Sequence, residues 1–266
     1  MNASILPHVV VLALLVPAAL VPWRAQNRRD GLFWGALGLA VVASLAWATM
    51  QVEPHWSTGF ATALWLTIAV TLLAFLLFAM LAAEAWRLAG LLLPYLVLLG
   101  AFAVVWSQAP EQPVPPGESM AWLGIHVLLS VGTYVLLTLA AVSGAAVVCQ
   151  ERALKRRAPN RVSRALPPLA DAETMEYRLL AASEVVLAAG IVTGMGAQYA
   201  LDGNLFEFNH KTVLTAAAFV VIGGLLLARL LWGMRGRRAA RLVLIGYLLL
   251  TLAYPGVKFV TDVLMA

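Results

Sequence analysis

Eight apolar runs of membrane-crossing length divide this chain, at residues 5–21, 31–50, 58–82, 88–106, 120–149, 179–201, 211–232 and 239–264. A helix of about 20 residues, rising 1.5 Å per residue, crosses a hydrocarbon core of roughly 30 Å. Lipid offers backbone N–H and C=O groups no partner, so such runs cross only as helices that satisfy their own hydrogen bonds. The expected fold is therefore an all-α polytopic membrane helical bundle, a single integral membrane domain over residues 1–266. Charged residues make up only 12% of the chain, about half the share of a soluble domain. The first run has no basic residue before it and no small-residue cleavage site after it, which reads as a retained span.

The connections between the runs alternate in charge. Arg24, Arg28 and Arg29 fill the first and Arg87 the third. Arg152, Lys155, Arg156, Arg157, Arg161, Arg164 and Arg178 fill or flank the fifth, and Arg229, Arg235, Arg237, Arg238 and Arg241 the seventh. Sixteen of the 18 basic residues thus fall on one side, and eight spans is the count that preserves the alternation. The positive-inside rule puts those loops in the cytoplasm and both termini on the outer, periplasmic side. Topology accounts for the net charge of +5, so no nucleic-acid partner is needed. With Cys149 as the single cysteine, an internal disulfide, a CxxC redox pair and a CxxCH haem attachment are all excluded.

Two connections have further character. Residues 107–119, SQAPEQPVPPGES, are expected to form an extended strap across the outer face. In the fifth, LPPLADAETMEYR carries Leu169, Met175 and Leu179 on one face, giving either an interfacial helix leading into span six or a flexible linker. Span six holds Gly190, Gly194 and Gly196 in GIVTGMG, a small-residue face suited to close helix packing. It also holds Glu184, either a buried acid on an ion path or an interfacial acid reaching to water or pairing with Arg178 or Arg87.

The polar residues of span five form a stripe. His126, Ser130, Thr133 and Tyr134 sit at i, i+4, i+7 and i+8, one face of a helix that must point at other helices. His126 is either a functional group or a neutral imidazole hydrogen-bonded to a neighbouring helix. All 4 histidines, His8, His55, His126 and His210, fall towards the outer side. Imidazoles gathered there suit axial ligation of a haem iron, with His126 and His210 as the candidate metal ligands. Lys211 and Lys258 break the charge rule, and beside those ligands they would offset the propionates of a haem. Alternatively they snorkel to headgroups or pair with Asp262, Asp202 or Glu207. The chain has no HExxH, no glycine-rich phosphate loop and no GxSxG. Tryptophans near span ends, among them Trp23, Trp56, Trp106, Trp122 and Trp232, read as an interfacial belt.

Taken in order, WLGIHVLLSVGTY, CQERALKRR, LPPLADAETMEYRLL, IVTG, NHKTVLTAAAF and WGMRGRRAARLVLIGYLLLTLAYPGVKFV resemble the cytochrome c assembly protein family, nearest its HemX-like and YpjD-like inner-membrane branch. The resemblance runs from about Trp122 to the C-terminus. It implies haem handling: in haem-delivering members, two outer-face histidines flank a tryptophan-rich segment that cradles haem for apocytochrome c. His126 falls at the first histidine. The tryptophan-rich segment falls at residues 205–212, LFEFNHKT, which contain no tryptophan, and the second histidine falls in YPGVK at 254–258. His210 is then the substitute second ligand. The implied protein sits in the bacterial inner membrane and binds or presents haem b at its outer face. Its partners would be apocytochrome c or other assembly proteins, and it would perform no covalent chemistry of its own. Two alternatives stand beside it: a regulatory or scaffolding protein acting through residues 152–178, and a small-solute permease using Glu184, Thr193 and Gln198.

Overall fold

The computed structural model describes residues 5–24, 29–52, 59–108, 120–202 and 210–260, and among these all regular structure is helical. The long helices are α1 (Ile5–Leu20), α2 (Gly31–Val52), α3 (Phe60–Leu81), α4 (Ala89–Val105) and α5 (Met120–Lys155). A short α6 (Arg161–Ala165) precedes α7 (Leu169–Asp202), α8 (His210–Trp232) and α9 (Gly236–Thr251). A π-helical turn, Leu252–Gly256, then leads into α10 (Val257–Phe259). Eight stretches are long and apolar enough to cross a membrane, so the chain is an all-α polytopic membrane protein. The proposed strap at 107–119 and His55 fall largely or wholly outside the described residues.

The ends of the helices follow from local chemistry. Asp30 opens α2 by accepting the Phe33 backbone N–H at 3.0 Å, and Arg24 holds its carboxylate from the other side at 3.0 Å. Hydrogen bonding to that guanidinium keeps the Asp30 carboxyl below the usual carboxylate range. Asn160 caps α6 through a reciprocal pair: its side chain accepts from the Ser163 N–H at 2.8 Å while the Ser163 hydroxyl accepts from the Asn160 N–H at 3.0 Å. Gly233 closes α8 at φ 61° and Gly236 opens α9 at φ 66°, backbone conformations that residues with a Cβ rarely adopt.

The fifth connection is more ordered than a flexible linker. α5 runs on to Lys155, with Lys155 3.6 Å from Glu151 one turn before it. The Gln150 amide donates to the carbonyls of Ser163 at 2.9 Å and Pro167 at 2.8 Å, pinning α6 against the end of α5. The LADAETMEYR run is not a separate interfacial helix. It forms the first turns of α7, which continues unbroken because no proline or capping residue intervenes after Pro168. Arg161 donates to the backbone carbonyl of Trp23, joining the first and fifth connections, the same pairing of odd-numbered loops that the charge alternation requires.

The chain forms two compact units. The first comprises residues 1–114, 149–172 and 258–266, and the second 115–148 and 173–257. In the first unit α1 packs on α2 and α4, and α3 packs on α2 and α4. Trp65, Phe75, Ile68 and Leu72 of α3 are fully buried at its centre. Thr67 and Thr71 lie on the same buried helix and donate to carbonyls four residues back, at 2.8 and 2.6 Å, so they add no unmet polar group. His8 is buried here too. Its Nδ1 accepts from the Trp65 indole N–H at 2.8 Å, and its ring stands edge-on to Trp47. Imidazole and indole satisfy each other inside the helix cluster, which is a structural use of this histidine.

His8→Leu would leave the Trp65 N–H buried without an acceptor. We expect a loss of about 1–3 kcal/mol, read as a fall in melting temperature in detergent, and recovery of most of it in His8→Leu/Trp65→Phe, where both polar partners are gone.

Candidate functional site

The second unit encloses a cavity of about 610 Å³ among α5, α7, α8 and the turn after α9. The whole polar stripe of α5 opens on it: His126, Ser130, Thr133 and Tyr134 all line the wall, as the helical spacing predicts. α7 contributes Gly190, Gly194, Met195 and Gln198, and α8 contributes Thr212, Thr215 and Phe219. The lining is mostly aliphatic and aromatic with hydroxyls set into it, and among the described residues it includes no lysine, arginine or carboxylate. Its size falls within the roughly 300–1,000 Å³ of pockets that hold small molecules and cofactors.

His126 is half-buried and held by α7. Its Nδ1 lies 3.2 Å from the Thr193 hydroxyl. That hydroxyl directs its own proton at the carbonyls of Ala189 and Gly190, both at 3.0 Å, so towards the imidazole it accepts. With its proton on either carbonyl, the hydroxyl accepts from Nδ1–H, the tautomer that leaves a lone pair on Nε2. Gly194 makes room for the ring. A Cβ at position 194 would stand 2.8 Å from His126 Cε1, closer than real contacts allow. Gly190 also faces α5, but a Cβ there would meet Leu129 at an ordinary 3.9 Å, so the close approach of GIVTGMG to the helix that carries the histidine depends on Gly194.

Opposite polar groups come from α9 and the π turn. The Tyr134 hydroxyl meets the Tyr247 hydroxyl at 3.0 Å and Thr251 Oγ1 at 3.4 Å, and the Tyr254 ring centroid lies 6.4 Å from that of Tyr134. Pro255 lacks the N–H that an α-helix would use, and the backbone widens into a π turn around it, which brings Tyr254 to the cavity wall. Tyr247 and Tyr254 were not among the residues expected from sequence to build a ligand site, and Thr193 was expected only on a solute path. Each sits in an apolar run where a hydroxyl carries no periodic signal of its own.

The other candidate residues are placed differently. His210 is the first residue of α8, exposed and not part of the cavity lining, two residues before Thr212, which is. The Lys211 side chain lies outside the described residues. Lys258 begins the return of the chain to the first unit, in α10. Among the described residues no group of three or more histidine, cysteine, aspartate or glutamate side chains stands ready to hold a bare metal ion.

Towards the opposite end of this unit lie two acids, Glu184 half-buried and Glu176 buried. Glu184 makes no ion pair with Arg178 or Arg87. Arg87 is taken by Glu84 at 2.8 Å and Arg178 is exposed, while Glu184 Oε1 lies against the bare backbone of Gly223 on α8. Glu176, fully buried, meets Arg229 of α8 at 2.5 Å, and the guanidinium also lies 5.7 Å from the Tyr177 ring. Gly144 of α5 accommodates that carboxylate, since a Cβ there would come within 3.1 Å of Glu176 Oε1. This pair ties α7 to α8 at the end of the unit remote from His126.

Comparison with known proteins places the chain among assembly factors. Residues 32–265 match the family model described as Cytochrome C assembly protein. The chain is 50% identical, over 270 residues and the full length of both, to the uncharacterized 28.8 kDa protein in the nifR3-like 5′ region of Azospirillum brasilense. No solved structure matches.

Removing one partner of the Glu176–Arg229 pair leaves an uncompensated buried charge. Arg229→Met is expected to destabilise the protein by about 3–5 kcal/mol, and Glu176→Leu/Arg229→Met to restore much of the loss. Melting temperatures of the three purified proteins check this.

Proposed function

Because the chain belongs to the cytochrome c assembly protein family, we propose that the cavity of its second unit receives haem b, with His126 as the axial ligand, and presents it at the outer face of the bacterial inner membrane. The observation that carries this proposal is the placement of His126 on the cavity wall with its Nδ1 against the Thr193 hydroxyl. With Nδ1–H donated to Thr193, Nε2 holds the lone pair that a haem iron takes from a neutral imidazole. The cavity's apolar wall suits a porphyrin face, and its volume of about 610 Å³ suits a ligand of cofactor size. Bound haem would supply an iron centre with an open coordination position and two anionic propionates.

The protein's own contribution is binding and orientation. Gly194 lets the imidazole lie flush on α7, Thr193 fixes the ring, and Tyr134 and Tyr254 close the wall away from it. His210 is retained as the second candidate ligand, and Lys211 as a propionate partner. Apocytochrome c or another assembly protein would take the haem, the chain acting as a carrier with no bond made or broken in the porphyrin.

Haemin reconstitution of the purified protein, followed by its Soret absorbance, is the direct test. Wild-type protein should give a shifted, saturable Soret band, His126→Ala should abolish it, and His210→Ala should alter the spectrum only if it supplies the second ligand. No band in the wild type, or an unchanged band in His126→Ala, would overturn the proposal. Thr193→Val removes the acceptor for Nδ1–H without touching the ligand, and is expected to weaken haem binding by about 10–100-fold in the same titration.

A further inference from the structure

A second pocket, in the first unit, has a different chemistry. It is a half-open recess of about 420 Å³ between Pro22, Trp23 and Arg24 just past α1 and Pro159, Arg161, Arg164 and Ala165 around α6, with Arg161 and Arg164 exposed on its rim. Three guanidinium groups line it, but they are not equivalent. Arg24 directs Nε to the Val21 carbonyl at 2.9 Å and both terminal nitrogens to Asp30 at 3.2 and 3.0 Å, so its charge is matched. Arg161 uses one terminal nitrogen on the Trp23 carbonyl, and Arg164 one on the Pro159 carbonyl at 3.4 Å. Neither meets a carboxylate among the described residues. Each guanidinium has five N–H donors, so most of the donors of these two remain for something else.

The pocket also lies at the end of a candidate membrane span. The apolar stretch of α1 ends at Trp23, and the arginines begin one residue later. The Trp23 indole is seated against α4, where a Cβ on Gly90 would lie 3.5 Å from the ring. An aromatic ring at the end of a span marks the headgroup level. Two unmatched guanidiniums beside it, in a recess many times the roughly 30 Å³ of one water molecule, match a phosphate with its attached alcohol.

We propose that this pocket binds the phosphate of an anionic phospholipid headgroup on the basic-loop side of the membrane, through Arg161 and Arg164, with Trp23 against its glycerol. The ligand class is a phosphate diester. A free phosphate would satisfy the same guanidiniums, but only the lipid also uses the position at the end of a span. Bound lipid would bridge the first and fifth connections, which are otherwise linked here through the Arg161 bond to Trp23.

Native mass spectrometry of the full-length protein in detergent, titrated with phosphatidylglycerol or phosphatidylcholine, tests this. Wild-type protein should retain one phosphatidylglycerol in preference to phosphatidylcholine. Arg161→Ala/Arg164→Ala should weaken phosphatidylglycerol retention by about ten- to thirtyfold at unchanged melting temperature, as expected for losing two cations at the headgroup level. Arg152→Ala/Arg156→Ala removes the same charge from exposed positions outside the pocket and should leave retention within about twofold of wild type. Equal losses in the two double variants would overturn the proposal, showing a diffuse basic field instead of a site. Equal retention of the two lipids would also overturn it, and so would full displacement of the lipid by millimolar inorganic phosphate, which would assign the pocket to a free anion.

Discussion

A backbone that must close its own hydrogen bonds in lipid has one regular option along each apolar run, and every later feature of this molecule depends on that restriction. Once each span is a helix, side-chain direction is fixed by a period of 3.6, and hydrophobicity no longer tells one face from another. Polar groups and missing side chains carry the information instead. The His8–Trp65 bond orders the first unit. In the second, the His126–Thr193 bond, the tyrosine hydroxyls and the Glu176–Arg229 pair do so. Glycines mark where the helices come close: Gly194 under an imidazole, Gly144 and Gly223 under carboxylates.

The two units use the same materials differently. In the first, threonine hydroxyls turn back to their own helix and the buried His8 imidazole is matched by an indole. In the second, the α5 stripe is left facing a cavity, with a histidine whose far nitrogen is not engaged by Thr193. That contrast is why His126, and not His8, is the functional candidate, although the two look alike as isolated histidines in apolar sequence.

Sequence periodicity located the spans and the α5 stripe because both depend on spacing within one helix. Contacts between distant residues were beyond its reach. Trp65 lies 57 positions from His8, and Thr193 lies 67 from His126. The reading of Glu184 failed for the same reason: Arg87 was already engaged by its neighbour Glu84, and charge alone does not show which partner is geometrically closer. α6 escaped notice because its capping pair is Asn160 with Ser163, lacking the glutamate or glutamine that makes such boxes conspicuous. The family was legible from residue order, whereas Tyr254 on the cavity wall and Tyr247 behind Tyr134 required coordinates.

The widened turn at Leu252–Gly256 has a consequence for how the last span is projected. Accommodating one additional residue retards the angular phase of everything after it by about 100° relative to an ideal wheel. A diagram drawn straight through from Gly236 would therefore assign Val257 and Lys258 to the wrong side of the cylinder. Any inference about the azimuth of residues beyond Pro255, by inspection or by alignment with an uninterrupted helix, has to restart its count there.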